Sequence, residues 1–165
     1  MELIEKIAEV LKRNAELYEE LAFKSIDERE AIENKGLENL ASITSEKESI
    51  VHALRGVEEK RNSLVAEAAS VLGLEPKVTL KELINHPSVL DHKKRLQVIS
   101  ERLRDAVENN DKLNEFNRTL LAASVDFVRK SISFAARVGE ESATYAGGKM
   151  VDVQIPSGSM VRKAL

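Results

Sequence analysis

Asn117-Arg118-Thr119-Leu120-Leu121-Ala122-Ala123-Ser124-Val125-Asp126-Phe127-Val128 carries a helical apolar pattern forward without a break. Ile99, Ala106 and Leu113 set the same pattern upstream and Phe134 extends it, each seven residues from the next along with Leu120 and Phe127. A seven-residue repeat held over this length predicts one long helix with a coiled-coil-like seam. Ser88-Val89-Leu90-Asp91 reads as a capping box that opens this helix and Gly139 as its stop, which puts it at about residues 88–138.

Two further long helices precede it. Residues 37–72 carry Ile43, Ile50, Val57, Leu64 and Val71 at strict seven-residue spacing. Gly56 interrupts that run, costing ~1 kcal/mol relative to Ala without ending it. Gly73 with Leu74 reads as a C-cap and its hydrophobic contact, and Pro76 prevents continuation. Over residues 2–34, Leu3, Ile4, Ile7, Val10, Leu11, Leu17, Tyr18, Leu21, Phe23, Ile26 and Ile32 recur at helical spacing, and Asn34-Lys35-Gly36 closes the helix. Thr79-Leu80-Lys81-Glu82 is a capping box for a short helix over residues 79–85. Short connections make successive helices antiparallel neighbours. The expected fold is all-α: an elongated antiparallel three-helix bundle over residues 1–139 with a short connecting helix. A flexible tail over residues 140–165 follows, marked by Gly147, Gly148, Ser157 and Gly158. Within it Met150 to Ile155 alternates like a strand but has no sequence neighbour to pair with.

Composition narrows the function classes. Of 165 residues 42% are hydrophobic and 32% charged, and only 4% are aromatic, a balance that favours long solvated helices. A net charge of −3 with interspersed signs lacks the concentrated basic surface that phosphate binding needs, so nucleic acid is not an expected partner. With no cysteine, disulfides and thiolate metal sites are excluded. No secretory signal and no apolar run of the ~20 residues that span a bilayer are evident, so no membrane insertion and a cytoplasmic location are expected.

Catalytic chemistry is also missing. His52 has only Glu48 as an acidic neighbour one turn away, and His86 and His92 flank the Pro87 turn. Bundle metal sites draw carboxylates from several facing helices, and the di-iron class repeats Glu-x-x-His, which does not occur here. Gly147-Gly148-Lys149 lacks the strand and spacing of a phosphate loop, and no serine has a local triad signature. The basic run His92-Lys93-Lys94-Arg95 reads as a solvated helix face. Neither enzyme activity nor a metal or other cofactor is expected.

Length leaves a surface over. The first two helices span ~50 Å each and the third ~75 Å, so the third passes the hairpin near Leu121 to Ser124. Leu120, Phe127 and Phe134 carry the core stripe into the remainder. Leu121, Val125, Val128 and Ile132 form a second stripe offset by ~110° at ~100° per residue. An apolar face of this width needs cover from a partner helix, a second copy or the tail, unless the third helix is shifted so that nothing protrudes. Asn110, Asn117, Ser124 and Ser131 share one seven-residue row, which either fixes register or marks a hydrated edge.

Several motifs coincide in order and spacing: Tyr18-Glu19-Glu20-Leu21, Asn34-Lys35-Gly36-Leu37-Glu38-Asn39-Leu40, Glu46-Lys47-Glu48, Glu59-Lys60-Arg61 and Leu72-Gly73-Leu74. The most specific is Leu113-Asn114-Glu115-Phe116-Asn117-Arg118-Thr119-Leu120-Leu121, a leucine-flanked Asn-x-x-Asn segment followed by Val125, Phe127 and Val128. Together they resemble the FlgN family of flagellar type III export chaperones over most of the chain. The family ends in a Tyr-Gly-rich segment; here Ala146 stands between Tyr145 and Gly147. The resemblance implies a non-catalytic chaperone that holds hook-associated proteins 1 and 3 by their C-terminal helices, prevents their premature assembly and delivers them to the export gate. It implies a client-binding set of Asn117, Leu120, Leu121, Val125, Phe127, Val128, Ile132 and Phe134, with Tyr145 docking to the gate. The competing expectation is a structural coiled-coil protein that homodimerises through the end of the third long helix.

Overall fold

The computed structural model describes residues 2–34, 37–75 and 78–145. Among these residues four α-helices occur: α1 (Glu2–Glu33), α2 (Leu37–Val71), α3 (Leu80–Ile84) and α4 (Leu90–Tyr145), with a 3-10 turn at Pro87–Val89 before α4. The described residues contain no strand. By contact density the chain divides into a unit over Met1–Ser124 and a second over Val125–Leu165.

The first unit is a three-helix bundle whose register can be read from its side-chain pairs. Along α1, Tyr18, Lys24 and Glu28 meet Glu58, Glu46 and Lys47, so α2 runs antiparallel to it. Glu5, Glu19 and Ser25 meet Arg95, Arg102 and Asn114, so α4 returns parallel to α1. The main core joins Ile4, Ile7, Ala8, Leu11 and Ala15 of α1 to Ala68, Leu83, Ile84, Val89, Leu96 and Leu103. A smaller one packs Leu17 and Leu21 against Ile50 and Leu54. Each fully buried Leu or Ile in these clusters contributes ~1.5–3 kcal/mol, which is why α1, with the most buried positions, organises the bundle.

Local chemistry sets the helix ends. Gly73 takes φ +70, the left-handed conformation that an L side chain resists. Leu74 N–H donates to Ala69 O at 2.8 Å and Gly73 N–H to Ser70 O at 3.2 Å, a Schellman closure. Leu72 and Leu74 pack on the main core beside it. At α3, Thr79 Oγ1 accepts from Glu82 N–H at 3.2 Å while Glu82 accepts from Thr79 N–H at 2.7 Å, completing the capping box.

Other expectations change. The Ser88–Asp91 box is replaced by the 3-10 turn, whose cap is His86, with Nδ1 accepting from Ser88 N–H at 3.3 Å. The helix does not stop at Gly139 but runs on to Tyr145, so the start of the expected tail is helical. A lone Gly in an exposed helix costs ~1 kcal/mol, too little to end it without a left-handed cap. Gly36, Pro76 and residues 146–165, the strand-like stretch included, lie outside the described residues.

The deepest row of α4 is Leu96, Leu103, Asn110 and Asn117, all buried, rather than the Ile99–Leu113 row, of which only Ala106 is fully enclosed. On α2 the expected seam is buried only at Ile50, and Val71 at its end is exposed. Phe23, placed by periodicity on the apolar side of α1, is also exposed.

Candidate functional site

Two neighbouring stretches of α4 behave differently. Up to Asn117 its inward side chains are tied into the bundle by a polar cluster that joins all three long helices. Lys47 Nζ of α2 donates to Glu28 Oε2 of α1 at 2.7 Å and to Asn114 Oδ1 of α4 at 3.2 Å. Asn117 Nδ2 donates to Ser25 O at 2.6 Å and to Glu28 Oε2 at 2.8 Å. Ser25 Oγ stands 3.0 Å from Leu21 O and 3.2 Å from Asn114 Oδ1. Charge-assisted bonds of this kind are stronger than neutral ones, and they form only at one relative register of the helices. Beside the cluster, Arg29 lies 5.7 Å from the centroid of the Phe116 ring.

From Val125 onward, in the second unit, every described side chain through Val138 is exposed. Phe127, Ile132 and Phe134 are 66%, 65% and 70% accessible, values far above those of large apolar side chains in a core. Phe127 and Phe134 lie on one line of the helix, and Val125, Val128 and Ile132 on another. Between the lines sits Ser131, whose Oγ donates back to Phe127 O at 2.9 Å; Ser133 does the same to Arg129 O at 3.0 Å. With the Ser131 hydroxyl satisfied by its own helix, the two apolar lines merge into one band. Arg129, Lys130 and Arg137 border the band, and Lys130 Nζ pairs with Asp126 at 2.7 Å.

The expected binding residues thus part company. Asn117 is only 3% exposed and spends its amide on Ser25 and Glu28, so it is a bundle residue and not part of an accessible face. Leu120 is half-buried and Leu121 exposed, both within the first unit. Val125, Phe127, Val128, Ile132 and Phe134 are together on the exposed stretch, and Tyr145 is the last residue of α4. The polar row is divided: Asn110 and Asn117 are buried, while Ser124 and Ser131 return their hydroxyls to the helix backbone. Sequence reasoning missed Ser25, Glu28 and Lys47. Their signal was the pair Asn114 and Asn117, one helical turn apart on the inward side of α4, which needed buried partners.

Among the described residues no three His, Asp or Glu side chains stand together as metal ligands, and no helix is long and apolar enough to cross a membrane. The shape on offer is a helix face for another polypeptide. A family model described as FlgN protein matches residues 1–151. The chain belongs to the FlgN family. Its members are flagellar export chaperones that bind flagellar export substrates, a chaperone family rather than a family of enzymes. The FlgN match takes in both the polar cluster and the exposed band of α4. No curated protein and no solved structure matched the chain.

Proposed function

We propose that this FlgN-family chain is a cytoplasmic chaperone for hook-associated proteins 1 and 3. Its exposed band on α4, Val125 to Phe134, takes the apolar stripe of a client's C-terminal helix. Covering that stripe prevents premature assembly of the client before it reaches the export gate, and Tyr145 at the end of α4 is the gate-docking position. The observation that carries this reading is the unbroken exposure of large apolar side chains from Val125 to Val138, since such faces on soluble proteins mark interaction sites. Within the first unit, the Asn114–Asn117 cluster fixes α4 against α1 and α2.

Co-expression with each hook-associated protein tests it. A stoichiometric complex is expected with the intact client, and none with a client lacking its C-terminal helix. A second reading is favoured by one feature, the seven-residue spacing of exposed Phe127 and Phe134: a homodimer through the same face. Light scattering over a wide concentration range separates the two, because a tight dimer with no affinity for either client supports the second.

A further inference from the structure

The exposed band has an electrical border. Between Val125 and Val138 the charged side chains are Arg129, Lys130 and Arg137 against the single acid Asp126, in a chain whose net charge is −3. Their positions are not scattered. Arg129 stands four residues after Val125 and three before Ile132, at one margin of the band. Lys130 stands three residues after Phe127 and four before Phe134, and Arg137 three after Phe134, at the other margin. These are the places that flank an apolar seam in paired helices, where charge selects partner and orientation. Asp126 is committed to Lys130, and Arg129 has no acidic partner among the described residues.

We propose that the segment seated on this band is an amphipathic helix whose apolar stripe is bordered by acidic residues on both sides. This rests on the client-binding reading and adds to it the chemistry by which clients are told apart. A second copy of the same stretch is disfavoured by the same charges, since it sets Arg129, Lys130 and Arg137 against like charge. Acidic flanks also speed encounter, because the attraction acts before the apolar contacts form.

Three synthetic helices test this. They share one Leu/Ile stripe of four turns and differ only in flanking residues, Glu, Gln or Lys, and each is titrated into the full chain. The Glu-flanked peptide binds about tenfold or more tighter than the Lys-flanked one at low salt. The gap closes as salt approaches about 0.5 M and the Debye length shrinks below the pair distances. In the Arg129→Gln/Arg137→Gln double variant the gap narrows while affinity for the Gln-flanked peptide is retained. Equal affinities for all three overturn the acidic-flank proposal and leave the client-binding reading standing. Failure of every peptide, the Gln-flanked one included, overturns both. Anionic phosphatidylserine vesicles held more tightly than any peptide, or self-association that blocks the peptides, overturns the proposal in favour of a membrane surface or a second copy.

Discussion

Asn117 Nδ2 lies 2.8 Å from Glu28 Oε2, a bond from α4 to α1 in which the same carboxylate oxygen also accepts from Lys47 of α2. One acidic side chain therefore holds three helices. In sequence, Asn117 comes eight residues before Val125, the first residue of the exposed band. The shared bond makes the Asn-x-x-Asn pair a fixture of the bundle whose effect on a client is indirect.

Asn117→Ala is expected to destabilise the bundle by about 1–3 kcal/mol, because Glu28 and Ser25 lose a buried donor. Urea unfolding at neutral pH measures this. A change within about 0.5 kcal/mol, the usual range for exposed sites, would show Asn117 to be a surface residue.

Asn14 gives the opposite sign. It is fully buried on α1, and neither its Oδ1 nor its Nδ2 has a hydrogen-bond partner. Asn14→Leu keeps the number of side-chain heavy atoms and removes two unpaired polar ones, so stability is expected to rise by about 1–2 kcal/mol. A lower melting temperature in the variant would mean that the amide is satisfied in solution.

A pH-dependent contribution comes from Glu19. The Arg102 guanidinium donates to it twice, at 2.7 Å each, and holds its carboxyl below the ordinary value of 4.5. A carboxyl lowered on folding stabilises the native state above its unfolded pKa and loses that contribution as pH falls through the folded value. The pair is solvent-exposed, so its worth at pH 7 is no more than ~0.2–1 kcal/mol. Urea midpoints of the unmodified chain and Glu19→Gln should differ at pH 7 and converge as the pH falls through the folded-state value of Glu19. A gap that persists at low pH would contradict the assignment.

Thr79→Ala removes the cap of α3 and is expected to cost about 1 kcal/mol. Exchange of the Glu82 amide, the donor to Thr79 Oγ1, should quicken with it. Unchanged exchange at Glu82 would show that the cap contributes nothing.

The parts of this molecule legible from sequence were those set by local chemistry. Gly73–Leu74 and Thr79–Glu82 announced their caps because each closure uses residues within one turn of it. Helical periodicity likewise gave the long helices and the exposed apolar stripe. What stayed hidden depended on register between distant segments. The cluster of Ser25, Glu28, Lys47, Asn114 and Asn117 exists only when three helices meet at one level, and Glu19 with Arg102 needs the same. Apolar periodicity does not mark the centre of α4 where polar residues lie deepest: Asn110 and Asn117 are more buried than Leu113 or Leu120. Gly139 does not end α4, because a helix ends where its carbonyls find a cap and not where one residue is merely unfavourable.

The most direct measurement is calorimetric titration of Val128→Glu with the C-terminal helix of a hook-associated client, alongside thermal unfolding of the same protein. Val128 is exposed on the band, so a buried charge appears only when the client covers it. Binding is expected to fall at least a hundredfold while the melting temperature stays within about 1 °C of the unmodified chain. Undiminished binding, or a large fall in melting temperature, would contradict a client face on this part of α4.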